Sequence, residues 1–228
     1  LQTLGAEDSP FEGGGIGGGI ERFDWDGNII WSYTYATNNV RAHHDIEPLP
    51  NGNFLILSWE RLYAADWSAL GRTSVNNSLN QLWSTAIFEI EPNFITGDAN
   101  IVWEWHLKDH LVQDIGPQYA ATYGQISDHP ELMDINCGYV GSNGGPGGQA
   151  NGDWMHMNAI SYNADLEQIV LSSRFRDEIY ILDHSTTTEE AAGHTGGRYD
   201  KGGDFLYRWG NPQNYGRGNS SNNILGDQ

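Results

Sequence analysis

One cysteine in 228 residues rules out an intrachain disulfide. Cys137 has no partner at C-x-x-C spacing, which removes the zinc and dithiol motifs built on such pairs. Basic residues are scarce: 11 Lys and Arg face 30 Asp and Glu, for a net charge of −19. Such a surface repels nucleic acid and anionic lipid, so neither is an expected partner. An anionic substrate meets the same repulsion unless a local cationic pocket offsets it. No apolar run approaches the ~20 residues that span a bilayer. No basic segment followed by an apolar one opens the chain as a signal peptide would. Leu1 stands in place of an initiator methionine, which is compatible with a preceding segment.

What is abundant is glycine and aromatics, with 29 Gly, 9 Trp and 11 Tyr. Glycine supplies turns, and Trp and Tyr favour half-buried pleated surfaces, so the composition predicts an all-β fold. Residues 1–19 read as loop. The string Gly15-Ile16-Gly17-Gly18-Gly19 lacks the Gly-Lys-Ser/Thr of a phosphate loop, and no helical pattern follows it.

Strands and turns then alternate. Ile20 to Asp24 and Ile29 to Tyr35 flank the turn Trp25-Asp26-Gly27-Asn28. His43 to Leu49 and Phe54 to Trp59 flank Pro50-Asn51-Gly52-Asn53. The order recurs with Ala86–Ile90, Ile101–Trp105, His156–Tyr162 and Gln168–Ser173, and opens again at Glu178–Asp183 and Asp204–Trp209. A repeating unit of four antiparallel strands is the signature of a β-propeller blade. About two and a half blades are expected: residues 20–59, residues 86–174 carrying an insertion at 106–152, and a partial blade at 178–228. Residues 60–84 form a further insertion without a clear period, and His106 to Val112 could open the second insertion as a short helix. The Gly-rich stretch 141–148 reads as loop. Two and a half blades cannot close a ring, so the chain is expected to be part of a longer propeller whose remainder is its first partner.

The chemistry concentrates around Asp153-Trp154-Met155-His156-Met157-Asn158. On a strand, residues two apart share a face, which predicts that His156 and Asn158 point together. A hairpin through Asn163-Ala164-Asp165 returns the chain to Arg174. His43 and His44 occupy the corresponding place in the preceding unit. Imidazole, amide and guanidinium groups together suit an oxyanion; the bland alternative is that each satisfies a buried carbonyl. His43, His44, Asp45 and His156 are residue types that also ligate metal. The donors on Arg174 and Asn158 point at an anion instead, so no metal is expected there. His106 and His110 are four apart but lack the H-E-x-x-H glutamate, since Leu107 stands there. His129, His184 and His194 fall in loops and receive no role. The Trp31/Tyr33, Trp103/Trp105 and Tyr207/Trp209 pairs read as packing, and the acidic stretch from Asp183 to Glu190 as a solvated loop.

The run Phe23-Asp24-Trp25-Asp26-Gly27-Asn28, then His43-His44-Asp45, Pro50-Asn51-Gly52-Asn53, Asp153-Trp154-x-His156-x-Asn158 and Ser172-Ser173-Arg174 resembles the bacterial aryl-sulfate sulfotransferases, the nucleotide-independent kind. The resemblance runs from about Gly13 to the end. It implies a six-bladed propeller with its site at the central channel. It implies sulfuryl transfer from a phenyl sulfate to a phenol through a sulfated histidine, with no cofactor. It makes His156, Arg174 and one of His43 and His44 catalytic and Asn158 substrate-binding. It implies a periplasmic or secreted protein, with a homo-oligomer left open. The family's nucleophilic histidine lies in the blade after the arginine, so it is expected beyond Gln228, and the chain by itself is expected to be inactive. A non-catalytic propeller that binds a ligand or joins an assembly is the alternative; a metal-dependent, lactonase-like hydrolase is a third reading.

Overall fold

The computed structural model describes residues 2–5, 11–145 and 148–226. Pro146 and Gly147 of the expected 141–148 loop, part of the expected N-terminal loop, and Asp227 and Gln228 lie outside the described residues. Strands β1 (Gln2–Gly5), β2 (Gly18–Phe23) and β3 (Ile29–Thr34) form an antiparallel sheet in that order. Next, β4 (Val40–Pro48), β5 (Phe54–Leu62), β6 (Leu82–Pro92) and β7 (Ala99–His106) form a four-stranded antiparallel meander. A small parallel sheet, ordered β10-β8-β9, is built from β8 (Leu111–Gln113), β9 (Thr122–Tyr123) and β10 (Met133–Asp134). A second meander contains β11 (Met157–Asn163), β12 (Gln168–Ser173), β13 (Glu178–Asp183) and β14 (Tyr207–Trp209). Two short helices, α1 (Ala64–Ala69) and α2 (Thr188–Ala191), lie in connections.

The fold is all-β, as composition and alternation predict, and the expected strands are present. Their grouping differs. Residues 20–59 do not share one sheet: β2 and β3 pair with β1, while β4 and β5 pair onward with β6 and β7. The reason lies in β5, where Phe54-Leu55-Ile56-Leu57 is buried at every position. A strand apolar on both faces belongs in a sheet centre with cover on each side. β6 supplies the second edge, in register from Phe54↔Ile90 to Leu62↔Leu82. Alternate β5 side chains then enter different cores. Leu55 and Leu57 join the core shared with Trp105, Trp154, Met157 and Leu171, while Phe54 and Ile56 pack with Ile20, Trp31 and Phe88.

Two further expectations are corrected. The first 19 residues are not all loop, because Gln2–Gly5 pairs with β2. His106 to Val112 is not an α-helix: a single 3-10 turn at Leu107–Asp109 leads straight into β8. β7 carries the chain to His106, and β8 finds parallel partners at once, so no helical run forms.

The two meanders meet along their first strands. The exposed edge of β11 would present unpaired N–H groups, and β4 caps them with carboxylates. Ile160 N–H donates to Asp45 Oδ2 at 3.1 Å, and Tyr162 N–H donates to Glu47 Oε1 at 3.0 Å. The second meander is anchored to the 106–152 insertion by an ion pair in its interior. Arg208 donates to Glu178 through Nε at 2.9 Å and Nη2 at 2.6 Å, and through Nη1 to the Leu132 carbonyl at 3.1 Å. Glu178 also accepts from Tyr180 Oη at 2.8 Å and is 1% exposed. Removing one member strands a buried charge. Arg208→Met is therefore expected to lower the unfolding free energy by about 3–5 kcal/mol in urea titrations; a loss typical of a surface pair would mean that water reaches Glu178.

Candidate functional site

Both histidine positions singled out by the sequence depart from regular strand geometry in the same way. His44 sits in β4 where the register with β5 shifts between Ala42 and Ile46, at φ 54°. His156 immediately precedes β11, whose register shifts between Met157 and Ala159, at φ 48°. Non-glycine residues rarely adopt this left-handed backbone; where they do, the surrounding structure holds them, often at functional sites. The two rings meet at 4.6 Å between centroids and nearly perpendicular, 79°.

They line a cavity of about 330 Å³ with Gly13, Gly14, Gly15, Asp153, Arg174 and Phe175, among others. Asp153 positions His156. Its Oδ2 accepts from His156 Nδ1 at 2.5 Å, and its Oδ1 accepts from the His156 N–H at 3.2 Å and from Trp59 Nε1 at 3.2 Å. With Nδ1 tied to the carboxylate, Nε2 is the ring nitrogen available to a ligand. Phe175 stacks on the His156 ring, 4.6 Å away at 24°.

The structure separates His43 from His44. His43 is buried and stacks on Trp59 at 4.1 Å, while His44 reaches the cavity wall. Their Nδ1 atoms lie 2.9 Å apart, so one donates to the other. Burial, with His44 and His156 nearby, holds His43 well below the usual imidazole range. Burial lowers His44 too, helped by His156 and opposed by Asp153 and Asp45. Both are therefore neutral at neutral pH. When His43 donates, His44 keeps its proton on Nε2.

The glycine loop dismissed as a phosphate loop has a steric purpose. The Gly15 carbonyl accepts from His44 N–H at 2.8 Å, and a Cβ on Gly15 (φ +80°) would lie 2.1 Å from the His44 ring. Only glycine lets the loop close over this imidazole.

Arg174 follows β12, and its N–H donates to the His156 carbonyl at 3.1 Å. Among the described residues, no carboxylate lies within ion-pair distance of its guanidinium. Asn158 is not brought into the same cavity. The shift between Met157 and Ala159 breaks the alternation expected from His156, and Asn158 Oδ1 accepts from Ser172 Oγ at 2.7 Å. Asn158 lines a neighbouring depression of about 400 Å³, which Arg174 also borders. Asp45, a metal-ligating residue type two positions from His43, is turned to the β11 edge. Sequence reasoning gave no role of their own to Asp153, Phe175 or the glycine wall. The Asp-x-x-His spacing was the available signal for Asp153; nothing in the sequence pointed to Phe175.

Compared with known families, residues 14–189, more than half of the chain, match the family described as Arylsulfotransferase (ASST). No curated protein matches the chain.

The depressed imidazoles have a thermodynamic consequence. Below about pH 6.5 an unfolded histidine binds a proton that folded His43 refuses. The contribution to stability is thus fully present above that pH and is lost as pH falls, by at most ~1.4 kcal/mol per unit and per histidine. His43→Phe preserves stacking on Trp59 and removes the titration. In urea titrations from neutral pH to about pH 5, the variant is expected to lose less stability than the unaltered chain; equal losses would refute the assignment.

Proposed function

The chain belongs to the arylsulfotransferase family, and we propose that the protein that carries it transfers a sulfuryl group from a phenolic sulfate ester to a phenolic acceptor. The observation that carries this reading is Arg174, a guanidinium with no carboxylate partner among the described residues, on a cavity wall of a chain with net charge −19. The net charge of the chain repels a sulfate ester, so an arginine without a carboxylate partner beside two imidazoles is what would draw one in.

Sulfuryl transfer, like phosphoryl transfer, places charge on the equatorial oxygens and aligns nucleophile and leaving group. Catalysis is then mostly positioning and electrostatics. Arg174 offers a planar fork to two sulfate oxygens. His156, fixed by Asp153, and His44, backed by His43, can donate to the sulfate or exchange a proton with the phenolic oxygen. Asn158 would contribute its amide from the adjoining depression. The cavity volume suits a small aryl ester, and Phe175 offers its ring an apolar face. In the two-step route of this reading, the nitrogen of a further histidine, other than His44 and His156, attacks sulfur, the S–O bond breaks, and the departing phenolate takes a proton from one of these two imidazoles. The acceptor phenol then gives its proton back to that imidazole as its oxygen attacks sulfur, and the S–N bond of the sulfohistidine breaks.

The same reading makes the two meanders neighbouring blades of a β-propeller, with β4 and β11 innermost. Three features support it: each sheet runs in sequence order, the two first strands lie side by side, and each contributes its histidine at an equivalent irregularity. A periplasmic or secreted location belongs to the same proposal.

In the protein that carries this chain, an aryl sulfate with a chromogenic phenol should release that phenol at a rate set by the acceptor phenol. Arg174→Ala should cost about 10²–10³ in kcat/KM while the fold survives; near-normal turnover would sink the site assignment. Ester binding without acceptor-dependent release would favour a non-catalytic ligand-binding module. Asp153→Asn removes a charged hydrogen bond that positions His156. It should lower kcat by roughly tenfold to a hundredfold, from about 1.5–3 kcal/mol; an unchanged kcat would show that the carboxylate only supports packing.

A further inference from the structure

A second cluster of titratable groups lies outside the cavity. His110 follows the 3-10 turn at Leu107–Asp109, His194 comes after α2, and Asp204 precedes β14. His110 is fully buried and stacks on Trp105, 5.5 Å between centroids and 3° from parallel. Its Nε2 lies 2.8 Å from the Ala191 carbonyl oxygen. A carbonyl only accepts, so Nε2 carries the proton. Nδ1 of the neutral ring is then a lone pair, yet it lies 2.8 Å from Asp204 Oδ1. An ionised carboxylate also only accepts. His194 Nδ1 approaches the same oxygen, again at 2.8 Å. Three ligand atoms thus converge within 4.8 Å of one another. Lone pairs on buried His110 and Asp204 do not face each other at this distance without a cation between them.

We propose that His110 Nδ1, His194 Nδ1 and Asp204 Oδ1 bind a zinc ion. Two imidazoles and a carboxylate are a zinc donor set, and solvent at half-exposed His194 supplies the fourth position. The bond from His110 Nε2–H to a backbone carbonyl is the outer contact that fixes the tautomer and orientation of a metal-bound imidazole. In a zinc tetrahedron with ~2.0 Å bonds, ligand atoms stand about 3.3 Å apart, so each histidine nitrogen must move roughly half an ångström away from Asp204 Oδ1. His194 can provide that movement, since its side chain is 50% exposed and the loop that follows α2 carries it. Asp204 and His110 are held by the core; the ion would staple the start of the 106–152 insertion to the β13–β14 connection. None of the three residues lines the sulfate cavity, so the ion's role is structural and the proposal is independent of the transfer reaction.

The test is direct. The protein is stripped with a chelator and titrated with zinc against a chromophoric competitor, and cobalt is used as a spectroscopic substitute. One zinc per chain, a cobalt spectrum of tetrahedral intensity and a raised Tm with zinc are expected. His194→Ala changes a half-exposed side chain and should leave the fold intact by circular dichroism. It should weaken zinc binding by at least the tenfold that even an outer contact is worth, as should Asp204→Asn. Absence of zinc binding by the unaltered protein, or binding of equal strength by both variants, would overturn the site and leave a proton as the cation between His110 and Asp204.

Discussion

The Asp153 carboxylate is the contact on which the site depends. It accepts from Trp59 in β5, 94 residues earlier in the chain, and from both nitrogens that set the pose of His156. One buried group therefore joins the two meanders and orients an imidazole. The adjoining backbone is stitched down as well. Trp83 N–H donates to the Gly152 carbonyl at 2.7 Å, and Gly141 N–H donates to the Asp153 carbonyl at 2.7 Å. A carboxylate held this way loses little freedom when a ligand arrives, which is the preorganisation an electrostatic site requires.

Around that contact, buried side chains tie down the described part of the long insertion. Arg72 donates to the carbonyls of Ile135, Cys137 and Gly138, and burial pushes its own pKa down to about 10. Arg176 donates to the Trp154 carbonyl at 3.2 Å. Arg72 and Arg208 thus hold the insertion through its main-chain oxygens, and Arg176 reaches it through Cys137 Sγ at 3.6 Å. Such carbonyls would otherwise be unpaired in a loop covered by protein. Four of the 11 basic residues, counting Arg41 on the Gly17 and Phe11 carbonyls, are thus internal, which leaves the surface still more acidic.

This distribution sharpens the meaning of Arg174. In a chain with so few cations, it is neither buried in carbonyls nor paired with acid, and it stands beside His44 and His156, which is why the proposed sulfate site is centred on it. The strained backbone at both histidines belongs to the same economy: each ring is turned out of the strand's alternation and toward the other.

Composition, alternation and turn chemistry determined the all-β fold and the approximate bounds of its strands, because these depend on residues close in sequence. His156 and Arg174 were legible for the same reason, since a hairpin brings them together. Sheet grouping was not legible: β5 is apolar on both faces, and only its cover decides which neighbours it takes. The choice between His43 and His44, and the removal of Asn158 from their cavity, depend on two register shifts. A local shift reverses which face a side chain takes, and alternation cannot report it. Asp153, Gly15 and Phe175 acquire their roles only through partners that the fold brings from elsewhere. The strands were local facts; the site is made of contacts between distant ones, and the tertiary structure decided it.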